Sequence, residues 1–145
     1  MFFIVTTLTK NQSVQSLSLH PLDYFKKIEG YSCISAIEHY ARIFGVNVKT
    51  ASEHFEELLK YLCLSAAYPE ALTPSDQLDE MWHSFIIQTR DYADFSELLG
   101  KFINHSTMSA PQASAYSNAL IRYRSIFGEP HTVWLSKKLH HQKFG

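Results

Sequence analysis

The sequence predicts an all-α fold: a compact single-domain bundle of about six helices with a short irregular N-terminal arm. Apolar residues recur at three- and four-residue spacing in successive segments, and these segments end at glycine or proline. A chain of 145 residues with 46% hydrophobic content also suits a single core. We divide it into an arm (1–20), a helical domain (21–136) and a basic, histidine-containing tail (137–145).

The first two helices follow the arm, whose polar stretch Asn11-Gln12-Ser13 has no helical period. Pro21 suits the first position of a helix that ends before Gly30, because its missing N–H is not needed there. The apolar face of this helix carries Leu22, Phe25 and Ile28. The second helix spans 32–44 and stops at Gly45. Its predicted buried face consists of Ile34, Ile37, Tyr40, Ala41 and Phe44.

Hydroxyl residues predict where the next two helices begin. Thr50 or Ser52 is expected to cap the third helix, which runs through Ala66. Its predicted buried stripe is Phe55, Leu58, Leu59, Leu62 and Ala66. A loop between two prolines follows, and Ser75 or Asp76 is expected to cap the fourth helix.

The fourth helix is expected to carry one long apolar arc at 100° per residue. That arc contains Leu78, Met81, Trp82, Phe85, Thr89 and Tyr92. A fifth helix over roughly 92–102 is expected to bury Phe95, Leu98 and Leu99. A sixth over 109–127 is closed by Gly128 and Pro130.

Charge and cysteine content exclude several classes of partner. Charged residues make up 19% of the chain and the net charge is -1, which argues against nucleic acid as a partner. The apolar start at Phe2 is too short for a membrane span or a signal core. The two cysteines, Cys33 and Cys63, form no CxxC pair. We therefore expect a reduced, cytoplasmic protein without a membrane partner.

Asp79 and His83 form the strongest chemical pattern, because residues four apart on a helix share a face. Such a pair can hydrogen-bond or share a metal ion, and His105 converges on it if the fifth helix folds back. Zinc or iron is the expected cofactor in this case, and an open coordination position would suit an oxidative or hydrolytic step. Glu80 and His83 also spell Glu-x-x-His, but a di-iron bundle needs a second copy.

The alternative is a structural or partner-binding corner in a small interaction module or accessory subunit. The residues of this corner are Asp79, Trp82, His83, Arg90 and Tyr92. In this interpretation the protein binds a protein partner, needs no cofactor and has no catalytic residue. The sequence favours this interaction module over an enzyme, and it leaves a homo-oligomer open.

A family resemblance rests on Pro-Ser-x-x-Leu-Asp-x-x-Trp-His at 74–83 and on the residues around it. The matching positions are Tyr61-Leu62-Cys63-Leu64, Pro74-Ser75, Leu78-Asp79, Trp82-His83, Phe85-Ile86, Thr89, Tyr92, Phe95, Gly100, Phe102-Ile103, His105, Tyr116, Tyr123, Phe127-Gly128 and Trp134. About half of the chain thus resembles bacterial relatives of the plant glycine-rich-domain-containing proteins.

The resemblance implies that the chain contains the domain of this group. It does not imply an activity for this chain. The group has an aspartate, Trp-His, a threonine and tyrosine one turn apart, and a His-His pair. Here Asn104 replaces the first histidine of that pair, and Phe85 stands where some relatives have a second histidine. The Cys/Gly-rich tail of many members is replaced by Lys137-Lys138-Leu139-His140-His141.

Overall fold

The computed structural model describes residues 19–105 and 113–135. Within them lie six α-helices and a 3-10 helix, and there is no strand. The elements are α1 (Pro21–Ile28), α2 (Ile34–Phe44), α3 (Val48–Ala67), α4 (Asp76–Ile86), α5 (Thr89–Leu99), α6 (Ala113–Phe127) and the 3-10 helix η1 (Thr132–Leu135). This confirms the all-α prediction. Most of the N-terminal arm, the basic tail and the expected start of the sixth helix lie outside the described residues.

The long helix α3 is the centre of the bundle. It packs against α1, α2, α4, α6 and η1, and it is therefore buried on several sides. All five residues of its predicted stripe are buried. Among the described residues, no helix combines the length and the apolar character that crossing a bilayer requires.

The helix ends show which capping predictions hold. Ser75 is the cap of α4, and its Oγ accepts the Leu78 N–H at 3.2 Å. Gly45 ends α2 in the left-handed conformation with φ 66°, as predicted. The predicted cap of α3 was wrong, because Asn47 takes that place and its Oδ1 accepts the Thr50 N–H at 2.7 Å. Thr50 and Ser52 lie inside the helix.

Three residues predicted to be buried are exposed. Leu22 is 41% exposed, Ile34 67% and Leu98 48%. In α1 the buried face instead contains Tyr24 and Ile28. Tyr24 can be buried because its hydroxyl accepts the Leu19 N–H at 3.3 Å, which satisfies the polar end of the ring.

The apolar arc predicted for one helix is divided between two. Helix α4 ends at Ile86, and α5 begins at Thr89 rather than Tyr92. The Gln88 N–H donates to the Phe85 carbonyl at 3.0 Å, a three-residue bond that closes α4. The Gln88 carbonyl then accepts the Tyr92 N–H at 2.8 Å, which starts α5. Thr89 and Tyr92 therefore belong to α5.

A buried carboxylate ties the last described elements to α3. Glu57 Oε1 accepts the Tyr123 hydroxyl at 2.7 Å and the Trp134 Nε1–H at 3.0 Å. Lys60 Nζ lies 3.2 Å from the other oxygen. These four residues, which we call the Glu57 network, join α6 and η1 to the centre of the bundle.

Candidate metal centre

Asp79, His83 and His105 lie close together along one side of α4. The first two lie one turn apart on α4, and His105 lies in the segment that leaves α5. One ligand atom from each of the three residues lies within 4.8 Å of the other two. The structure thus brings together the three residues that the sequence singled out as metal ligands. A carboxylate and two imidazoles are a donor set that zinc and iron accept.

Asp79 pairs with His105 rather than with His83. Its Oδ1 lies 2.8 Å from His105 Nε2. A carboxylate only accepts hydrogen bonds, so Nε2 of His105 carries the hydrogen in this arrangement. The His105 side chain is 10% exposed and that of Asp79 is 37% exposed. The pair therefore lies at the rim of the bundle, with one member inside and one within reach of solvent.

His83 lies beside this pair with its side chain 46% exposed. Its ring centroid is 4.5 Å from that of His105, and its side chain has no hydrogen bond to any described residue. Glu80 Oε1 is 3.7 Å from His83 Nδ1. A carboxylate on that side favours coordination through Nε2, because the second ring nitrogen of a ligand histidine commonly faces a carboxylate. The Glu-x-x-His spacing indicates this placement of Glu80 beside His83, which was not among the predicted site residues.

Tyr92 and Trp82 hold the segment that carries His105. The Trp82 Nε1–H donates to the Tyr92 hydroxyl at 3.1 Å, and this hydroxyl donates to the Ile103 carbonyl at 2.6 Å. Burial raises the pKa of Tyr92, so the phenol keeps the proton that it donates. The Trp82 ring also packs edge-on against His105, with centroids 4.5 Å apart. Tyr92 on α5 and Trp82 on α4 thus each make one contact with the segment of the imidazole, and the bond between them joins the two helices.

Lys101 fixes the beginning of the same segment. Its Nζ donates to the Ala66 carbonyl at 2.7 Å, near the C-terminal end of α3. A cation is favourable there because the last carbonyls of a helix carry partial negative charge. The segment between Lys101 and His105 is thus held at both ends.

Arg90 stands apart from the predicted corner. It is exposed on α5 and has no hydrogen bond or ion pair with the described residues. The other four members of the corner are connected. Trp82 bonds directly to Tyr92, and Asp79, Trp82 and His83 each contact His105.

A comparison with known protein families gives one match. The model of the UCP032817-like family matches residues 38–127, which is more than half of the chain. The chain belongs to this family. No curated protein and no solved structure matched. The resemblance to the glycine-rich-domain-containing group stays a prediction, since the match does not bear on it.

The matched region of this UCP032817-like protein contains all three candidate ligands. Zinc bonds of about 2.0 to 2.2 Å in tetrahedral geometry place ligand atoms roughly 3.4 Å apart. To admit an ion, His105 Nε2 would give up its hydrogen, with the other ring nitrogen protonated instead, and the Asp79–His105 pair would open slightly from 2.8 Å. The ligand nitrogen of His83 lies within 4.8 Å of the other two ligand atoms and would move closer to them. The exposure of the His83 ring leaves room for this rotation. The residues present therefore fit a zinc or iron ion with small side-chain movements.

Proposed function

We propose that this protein binds one divalent transition metal ion, zinc or iron(II), through Asp79, His83 and His105. The supporting observation is the convergence of one carboxylate and two imidazoles within 4.8 Å, from two separate parts of the chain. Trp82 and Tyr92 act as positioning residues for His105 in this proposal.

The exposure of His83 favours metal binding over a purely structural corner. A structural corner requires His83 to hydrogen-bond between elements, since buried and satisfied polar groups stabilise such contacts. His83 is instead 46% exposed, without a hydrogen bond to the described residues. A metal ligand needs this accessibility, because the ion must enter and the ring must turn toward it.

Three protein ligands leave room for a further ligand from solvent. Zinc bound in this way lowers the pKa of a coordinated water, which supports hydrolysis, and two histidines with one carboxylate also suit iron(II). The ion that the protein retains after dialysis decides between zinc and iron(II).

The experiment measures metal content in the full chain carrying His140→Ala and His141→Ala, because two adjacent histidines are able to bind metal on their own. After loading with zinc, or with iron(II) under anaerobic conditions, and dialysis, we expect one ion per chain by mass spectrometry of the metal. His83→Ala and His105→Ala should each weaken binding by more than about tenfold, since each removes a ligand.

His39→Ala is the matched control. His39 is also a partly exposed histidine, paired with Ser84 Oγ at 2.9 Å and outside the triad. Its removal should leave metal content unchanged. A stoichiometry near zero with both ions would refute the proposal, and so would an equal loss in the His39 variant.

A second proposal makes the same corner a contact for a protein partner. Ile87 is 56% exposed and Phe102 60% exposed, and the Phe102 ring lies 5.5 Å from that of Tyr92. Apolar groups at the edge of such a corner suit a protein interface. Crosslinking of the chain in its native extract should give a discrete adduct that Ile87→Asp and Phe102→Ser abolish and Leu135→Asp retains. An adduct unaffected by the first two changes would rule this corner out as the interface.

Both cysteines are free and buried. Burial raises the pKa of Cys63 to about 12 and also raises that of Cys33, so neither is a reactive thiolate. Unpaired thiols suit a reducing compartment, and a cytoplasmic location is therefore part of the proposal.

A further inference from the structure

A cleft of about 400 Å³ lies between α3 and the connection from α1 to α2. It shares no lining residue with the metal triad. Its base is formed by the nearly buried side chains of Ile28, Ile37, Phe55 and Leu59, with Phe25 and Tyr31 beside them, and its rim is polar. This volume falls within the range of small-molecule sites, which are lined mainly by apolar and aromatic groups.

Tyr31 forms a fixed aromatic wall of this cleft. Its ring centroid lies 5.1 Å from that of Phe95 and 6.3 Å from that of Phe55. Its hydroxyl donates to the Asp91 carbonyl at 3.5 Å. Burial raises the pKa of Tyr31 to about 12, so the phenol is neutral near pH 7.

The cleft also carries an excess of carboxylates. Glu29, Glu53 and Glu56 line it, together with a single cation, Lys49. Lys49 pairs with Glu53 at 3.2 Å in an exposed bridge, which water and salt weaken. Glu29 and Glu56 have no ion pair with a described residue. His131 Nε2 also lies 3.7 Å from Glu53 Oε1, so the excess negative charge at the opening comes from Glu29 and Glu56.

We propose that this cleft binds a small organic cation, a primary amine attached to an apolar arylalkyl body. The apolar walls would bury the body, because removal of its surface from water is favourable. The carboxylates at the opening would hold the ammonium group. An anion of the same shape is repelled by the same carboxylates.

Three probes of nearly equal shape separate these contributions: 2-phenylethylamine, 2-phenylethanol and phenylacetate. Binding to the full chain is followed by amide chemical shifts in two-dimensional NMR. We expect saturable shifts at Tyr31, Ser32 and Ser52, which line the cleft. The amine should bind about tenfold more tightly than the alcohol, which corresponds to one charge contact, and phenylacetate should not bind.

Two variants assign the binding to the cleft. Ser52→Trp fills the space from an exposed position and should abolish binding of all probes. Glu56→Gln should weaken the amine and leave the alcohol unchanged, because it removes charge without changing shape. Glu97→Gln is the matched control, since Glu97 is an exposed carboxylate on α5 outside the cleft. Circular dichroism verifies that each variant is folded.

Several results would overturn the inference. These are the absence of saturable amine binding at millimolar concentration, equal affinities for amine and alcohol, and unchanged amine binding in folded Ser52→Trp. An equal effect of the Glu56 and Glu97 substitutions would also exclude the proposed charge contact. All of these results are independent of metal content.

Discussion

The Tyr92 hydroxyl carries two hydrogen bonds at the candidate metal centre. It accepts from Trp82 on α4 and donates to the Ile103 carbonyl in the segment that bears His105. One atom thus joins a helix, its neighbour and the following segment. The position of His105 depends on this atom, although Tyr92 is not itself a candidate ligand.

Removal of that hydroxyl should destabilise the protein. Tyr92→Phe keeps the ring but leaves the buried Trp82 N–H without its acceptor, which costs about 1 to 3 kcal/mol. Urea unfolding measures the loss. Tyr31→Phe is the control, because its hydroxyl makes one longer bond of 3.5 Å, and it should cost less than about 1 kcal/mol. Equal losses in the two variants would contradict this account of Tyr92.

The site could be predicted from sequence in part. The four-residue spacing correctly put Asp79 and His83 on one face of α4. It did not predict that Asp79 would pair with His105, because that choice depends on the path after α5, which Tyr92 and Lys101 fix. Glu57 was also missed, although a carboxylate beside the apolar stripe of α3 is a signal of a buried polar network.

Among the elements, α4 depends most clearly on one capping residue. Ser75 is fully buried, its Oγ accepts the Leu78 N–H, and its hydroxyl donates to the Val133 carbonyl at 2.7 Å. The same side chain therefore starts the helix that carries Asp79 and His83 and holds η1 against it.

Ser75→Ala should lower the free energy of unfolding by about 1 to 3 kcal/mol, since it removes both a helix cap and a buried donor. Asn47→Ala at the start of α3 is the matched control. That cap is exposed and makes a single bond, so its loss should cost about 1 kcal/mol or less. Chemical denaturation of both variants gives the comparison, and a larger loss at Asn47 would refute the added role of Ser75.

The boundary between α4 and α5 shows why sequence patterns fail locally. Leu78, Phe85 and Tyr92 fit one continuous apolar arc, and the break at Ile87 and Gln88 contains neither glycine nor proline. The predicted arc was wrong at Thr89, which is exposed, and its other members stay buried because both helices pack their apolar faces into the same core. The periodicity indicated that the two helices share a core, but it did not predict that the chain turns between them.

At the scale of the whole molecule, a buried histidine connects pH to stability. His54 is 8% exposed in the centre of the bundle, and its Nδ1 lies 2.9 Å from the Tyr40 hydroxyl. Burial, and next the charge of His131, lower its pKa below the ordinary value of 6.5. The folded state therefore favours the neutral imidazole.

Stability should accordingly fall as the solution is acidified. Well above pH 6.5 both states carry neutral His54, and the full stability is present. As the pH falls below that value, the unfolded chain takes up the proton first, so unfolding becomes easier until the folded pKa is reached. Thermal melts between pH 7.5 and 5 should show this fall for the natural protein.

His54→Gln should flatten that decline, because it removes the titrating group, whereas His39→Gln should keep it. Melting temperatures of the three proteins across the same pH series provide the measurement. An unchanged slope in the His54 variant would mean that other groups govern the acid response.

The Glu57 network also constrains how the protein is made. Trp134 donates to a carboxylate 77 positions earlier, and Tyr123 does so across 66. While these residues are still inside the ribosome, Glu57 has only Lys60 of the three partners in its network, and α6 and η1 do not yet cover α3. The interior can become complete only after the ribosome has passed Trp134, so the final folding step follows nearly all of the translation of this domain.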